Sequence, residues 1–217
     1  PSEISPSEIS PSDIRTIKNG PQAELTFTDK SFNYFEAIIL MSNSEDGSLS
    51  SDQPSELHNR RLTTAFHEAG HAVMAQIVGR PIEKVSISPA HLQTGGMRLG
   101  VCKLQKGRKK SSKDALEDEV MILFAGMVAE SYLTGKYCRQ GAGQDLRMIR
   151  RLLLNRGGSE RSLQKLEKRI LEKTEHILDD QTHLNAIQKV AEKLVENETV
   201  SGRSVRHLLE EAIANET

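Results

Sequence analysis

Two histidines four residues apart, with a glutamate directly after the first, dominate the chemistry of this chain: His67-Glu68-Ala69-Gly70-His71. On an α-helix, side chains at i and i+4 leave the same face, so both imidazoles can reach a single ion. Neutral imidazole is a good zinc ligand, and two of them leave room for a third protein ligand and a water. A zinc ion held there lowers the pKa of its water from about 15.7 to about 7, and Glu68 is placed to take the proton as general base. This is the chemistry of a zinc hydrolase, most directly a peptidase.

A short motif can also be a polar stripe on a solvated helix, and the flanks decide between the two. Upstream runs Leu62-Thr63-Thr64-Ala65-Phe66, and downstream Ala72-Val73-Met74-Ala75-Gln76-Ile77-Val78. A helix apolar nearly all round is a buried one. Two imidazoles and a carboxylate are costly to bury unless they are paired or hold a metal. Gly70 costs about 1 kcal/mol against alanine inside a helix, which predicts close approach of another element.

Two imidazoles do not complete a catalytic zinc site. Downstream, Gln140-Gly141-Ala142-Gly143-Gln144-Asp145-Leu146 reads as a glycine-rich turn leading into a helix, with Asp145 near its start. A carboxylate in a first helical turn is favourable by the helix dipole alone. As a zinc ligand, Asp145 would add one hard oxygen to two nitrogens, a set zinc accepts.

Two blocks carry a resemblance. TAFHEAGHAVMAQIVGRPIEKVSISP, from Thr64 to Pro89, and ILFAGMVAESYLTGKYCRQGAGQDL, from Ile122 to Leu146, resemble the peptidase domain of the FtsH family of zinc metalloproteases. In that family the domain is usually fused to a membrane anchor and an AAA+ ATPase. The resemblance runs from about Leu62 to the C-terminus, weakening through the final helices. It implies a mainly α fold with a small β-sheet (α+β), with His67, His71 and Asp145 as zinc ligands and Glu68 as catalytic base. It also implies a polypeptide substrate and a homo-oligomeric, hexameric ring. Departures accompany the matches: where the family usually has Gly-Gly-Arg before Ala-Ala-Glu-Glu, this chain reads Ala125-Gly126-Met127 and then Val128-Ala129-Glu130-Ser131. Glu130 either supports a ligand histidine from behind or caps a local helix.

Other features bound the function. No G-x-x-x-x-G-K-[ST] phosphate loop occurs, so no Walker-type ATPase is expected within the chain. No apolar run reaches about 18 residues, so no membrane span of its own is expected. A separate ATPase or a full-length relative is therefore the candidate partner, and the favoured activity is nucleotide-independent hydrolysis of small or unfolded polypeptides. The rival is a catalytically idle, regulatory protein that keeps the protease fold. A net charge of −1 across 217 residues gives no electrostatic reason for nucleic-acid binding. The basic run around Arg108-Lys109-Lys110 has no interleaved aromatics and is balanced by Glu117, Asp118 and Glu119. Cys102 and Cys138 lack metal-pair spacing, and two isolated cysteines without a signal peptide fit a reducing, cytoplasmic setting.

Residues 1–55 open on the near-repeat PSEIS-PSEIS-PSDIR and read as a largely disordered tail containing an apolar segment at 27–41. That segment is read as a strand or short helix docking on the domain, or else as a partner-binding or self-inhibitory segment. Residues 56–217 are expected to form the metallopeptidase-like domain. Val85–Ser88 and Met97–Leu104 are strand candidates, and Leu99-Gly100-Val101 either borders the substrate groove or is purely structural. From Ser159 onward, Leu163, Leu166, Ile170, Ile177, Leu184, Ile187, Val190, Ala191, Leu194 and Val195 recur at helical steps. Thr199, Ser201 or Ser204 is expected to cap a last helix whose inner face is Val205, Leu208, Leu209 and Ile213.

Overall fold

The computed structural model describes residues 53–91, 97–107 and 114–215. The apolar segment at 27–41 and almost all of the predicted tail lie outside the described residues. The first helix, α1 (Gln53–Ile77), carries the His-Glu-x-x-His motif. From Ala65 to Ala75 it is buried, His67 alone retaining partial exposure, as its apolar flanks predict. It stops where Gly79 takes φ 75°, a left-handed conformation that closes the helix with bonds from Val78 N–H to Met74 and Arg80 N–H to Ala75.

Next come β1 (Ile82–Ser86), β2 (Ala90–His91), β3 (Met97–Arg98) and β4 (Val101–Leu104). Helix α2 (Ala115–Thr134) is capped by Asp114, whose carboxylate accepts from Glu117 N–H. Helices α3 (Gly143–Arg156), α4 (Glu160–Leu178) and α5 (Gln181–Asn197) follow, then β5 (Thr199–Ser201) and α6 (Gly202–Ala214). The fold is α+β. β1 is the middle strand of an antiparallel sheet ordered β4-β1-β5, with Val85 opposite Cys102 on one side and Val200 on the other. β2 and β3 form a separate pair.

The core centres on α1 against α2. Helix α2 is buried along most of its length, with Val120, Phe124, Ala125, Val128 and Ala129 all at 2% exposure or less. The close approach predicted at Gly70 is to this helix: a Cβ built there would lie 2.3 Å from the Ala125 carbonyl oxygen. Arg61 ties α1 to α5 by donating to the Val195 carbonyl at 3.0 Å.

Three details differ from the sequence reading. The Met97–Leu104 strand candidate is broken at Leu99-Gly100, where the chain runs beside Glu68. Thr199–Ser201 is a strand as well as a capping segment, with Ser201 the residue that caps α6 by accepting from Ser204 N–H. On α6, Val205 and Leu209 face the core as expected. Ile213 is 50% exposed, and Ala212 packs inward in its place, because the helix turns its buried stripe one residue earlier.

Candidate metal centre and cleft

The motif helix α1, the α2 helix and the first turn of α3 meet at the floor of a cleft of about 690 Å³. His67, His71 and Asp145 each bring one ligand-capable atom there, all within 4.8 Å of one another. The two imidazoles stack edge to face, 4.7 Å between centroids. Asp145 Oδ2 lies 3.1 Å from His67 Nε2 and 3.4 Å from His71 Nε2. Asp145 occupies the first turn of α3, as its helix-dipole reading expects, and its carboxylate also points at the imidazoles.

The outer nitrogens are already engaged. His71 Nδ1–H donates to the Ile122 carbonyl at 2.7 Å, which leaves its Nε2 to face Asp145, as a donor when protonated and as a ligand nitrogen when neutral. His67 Nδ1 meets Glu130 Oε2 at 3.1 Å. Glu130 thus backs a histidine through its carboxylate rather than capping a helix. A donor set of two oriented imidazole nitrogens and one carboxylate suits a zinc ion. The space is kept by Gly126 of α2: a Cβ built there would lie 2.5 Å from His71 Nε2 and 2.7 Å from His67 Nε2. We expect Glu130→Gln to weaken zinc binding about tenfold and Glu130→Ala up to about a hundredfold, measured by competition with a chelating dye. Unaltered affinity in both would reduce Glu130 to a packing residue.

Glu68 is buried at 7% exposure on the neighbouring face of α1. Its carboxylate meets the chain at Gly100, where a Cβ would lie 2.5 Å from Oε1. Leu99, Gly100 and Val101 line the cleft directly beside it. Cys102 and Cys138 also line the cleft. Burial, reinforced by the Glu68 charge, pushes the Cys102 thiol up, which disfavours its thiolate form. Gly100 lies on the cleft, the place one of its two sequence readings gives it. Gly126 beside the imidazoles is not singled out from the sequence, since a glycine states a need for space without naming the neighbour that imposes it.

In the metal-free protein, burial opposes a charge on His67, but hydrogen bonds to Asp145 and Glu130 and the Glu68 charge outweigh it. The imidazolium is pushed up to about 10. Burial likewise opposes ionisation of Asp145, and the hydrogen bonds from His67 and His71 hold it well below the usual carboxylate range. A folded-state pKa raised from 6.5 contributes stability that is complete below about 6.5 and lost as pH rises through about 10. Chelator-treated protein should therefore melt at falling temperature from pH 6.5 to pH 10. A zinc ion bound there would take the place of that proton, so zinc uptake at neutral pH should release protons, read by calorimetry in buffers of different ionisation enthalpy. A flat melting profile, with heats independent of buffer, would contradict the linkage.

A profile of the peptidase family M41 matches residues 56–156, the segment running from α1 through α3. Residues 56–156 are a peptidase segment of family M41, of the FtsH type. The chain is similar to proteins named ATP-dependent zinc metalloprotease FtsH. The Acidimicrobium ferrooxidans protein is 28% identical over 214 residues, covering 80% of this chain and 31% of that one. The Protochlamydia amoebophila protein is 39% identical over 92 residues, covering 41% and 9%. The Methylococcus capsulatus protein is 28% identical over 187 residues, covering 68% and 29%. The chain thus spans less than a third of the length of these curated relatives. Among the described residues of the M41 domain and its C-terminal helices, no helix is long and apolar enough to cross a membrane.

Proposed function

We propose that this M41 domain is a zinc-dependent metalloendopeptidase that cleaves unfolded or small polypeptides without consuming nucleotide. The observation that carries the reading is the convergence of His67, His71 and Asp145 within 4.8 Å on the floor of a cleft that also holds Glu68. These three residues would hold the zinc, which when bound acidifies water and polarises the scissile carbonyl.

The protein's own groups carry the remaining tasks. Glu68 accepts a proton from the attacking water and returns it to the leaving amine as the peptide C–N bond breaks. Its burial against Gly100 fixes the carboxylate at the side of the cleft. Glu130 and the Ile122 carbonyl hold the two imidazole planes from behind. Strand β4 pairs with β1 along one edge only, and its other edge has no strand partner among the described residues. An extended substrate adding to that edge at Leu99–Val101 would pass directly over Glu68.

The test is hydrolysis of an unfolded protein such as casein by the zinc-loaded chain without nucleotide, with zinc stoichiometry measured in parallel. We expect cleavage and one zinc per chain. Asp145→Asn should lower zinc affinity by at least about a hundredfold, on the scale by which even outer-shell losses weaken such sites, and unchanged affinity would remove it from the ligand set. One zinc per chain with no hydrolysis would instead favour a regulatory protein that uses the metal for stability.

A further inference from the structure

The walls of the cleft differ in charge from its floor. Its three carboxylates, Glu68, Glu130 and Asp145, sit low, and two of them are committed to His67. Above them the side chains that can meet a substrate include Thr63, Thr64, Gln140 and Gln144, together with two arginines, Arg60 and Arg147. Both arginines are exposed, and neither forms an ion pair among the described residues. Their helical neighbours behave differently: Arg61 pairs with Glu198 at 3.2 Å and Arg150 with Glu160 at 3.2 Å. The two guanidinium groups that line the cleft are thus without a carboxylate partner among the described residues.

Their positions are defined by the helices. Arg60, Thr64, His67 and His71 stand at i, i+4, i+7 and i+11 of α1, on one face. With a rise of 1.5 Å per residue, the Arg60 Cα precedes that of His67 by about 10 Å along the axis. That equals about three residues of extended peptide. Arg147 is two residues beyond Asp145 on α3, and its Nη1 folds back toward Gly143, 3.4 Å from a Cβ built there, on the first turn of the helix. One arginine therefore stands close to the reacting centre and the other about three substrate residues away.

We propose that Arg60 and Arg147 select substrates bearing acidic side chains within about three residues of the scissile bond, a specificity that rests on the peptidase reading of this cleft. A carboxylate meets each guanidinium through charge-assisted, bidentate hydrogen bonds, which a neutral amide cannot reproduce and a lysine opposes. Because both arginines are solvent-exposed, each contact is expected to be worth up to about fivefold in kcat/KM, and to shrink with added salt.

The test uses the full zinc-loaded chain and fluorescence-quenched decapeptides that carry Asp/Glu, Asn/Gln or Lys at the three positions on each side of the cleaved bond. Each is made as a free acid and as a C-terminal amide. Side-chain recognition predicts that the acidic peptides are cleaved fastest whichever terminus they carry. Arg60→Glu and Arg147→Glu, checked for native circular dichroism, should each reduce the acidic-to-amide ratio, and the double variant should invert it toward lysine. The same peptides, fluorescein-labelled, are titrated by anisotropy against the zinc-loaded Glu68→Gln chain, which reads the charge preference without turnover. If no peptide is hydrolysed but acidic ones still bind tighter through the arginines, the charge selection stands and the peptidase reading falls. Equal rates and equal binding for acidic and amide peptides overturn the proposal. So does a preference that follows the C-terminal carboxylate alone, or one that survives both charge reversals.

Discussion

Glu68→Gln lowers kcat on an unfolded protein or quenched peptide by about 10²- to 10⁴-fold while leaving zinc content at one per chain: this is the expected result if Glu68 is the general base. The exchange replaces one carboxylate oxygen by an amide nitrogen of nearly the same size. The tight space against Gly100 therefore stays filled and the fold is kept. What is lost is the basic atom proposed to take the proton of the attacking water. Stoichiometric zinc with unchanged turnover would assign the proton transfer to another group. Reduced zinc content would show instead that Glu68 acts on the metal site as a whole, and the two outcomes separate in a single zinc assay run beside the kinetics.

Gly126→Ala should have the second large effect, on metal binding rather than on proton transfer. The new methyl group would stand 2.5 Å from His71 Nε2 and 2.7 Å from His67 Nε2, where van der Waals contact requires about 3.5 Å. The His71 ring has little room to retreat, since its Nδ1 is fixed to the Ile122 carbonyl within the buried interface. The ring must rotate or α2 must shift, and either displaces the atoms that converge on Asp145. We expect zinc affinity to fall by more than a hundredfold, beyond the loss typical of an outer-shell partner, with overpacking adding about 1–3 kcal/mol of destabilisation. Melting with and without zinc gives the decisive comparison. The native chain should gain thermal stability from the metal, and the variant should gain little. A variant that binds zinc at native affinity would show that the rings can move aside at no cost.

Much of this site is legible in the residues because helical period converts spacing into geometry. His67 and His71 share a face at i and i+4, and the apolar residues around them require burial. The glycine-rich turn before Asp145 marks a helix start, which explains how a residue far along the chain can reach the same floor. What was illegible concerns unoccupied volume and short segments. Gly70, Gly100 and Gly126 are conspicuous as glycines, yet only three-dimensional packing names Ala125, Glu68 and the two imidazoles as the atoms that demand them. Strand β5 has three residues and one buried side chain, Val200, too little for any alternation to register. The error at Ile213 has a related cause. Leu208, Leu209, Ala212 and Ile213 fit two helical stripes equally well, and α5 and β1, which pack on this helix, choose between them.

The position of β5 bears on what counts as a minimal folding unit here. The segment matched by the M41 family ends at Arg156, but β1 lies between β4 and a strand contributed by residues 199–201. Carboxyl-terminal trimming that reaches Val200 would strip β1 of its second neighbour and leave a raw edge on the same sheet whose opposite margin passes Glu68. Such an edge invites self-association by strand pairing. An expression fragment cut at the family boundary would therefore keep every metal-facing residue and still be prone to aggregate, whereas a fragment retaining α5, β5 and α6 would keep β1 paired on both sides.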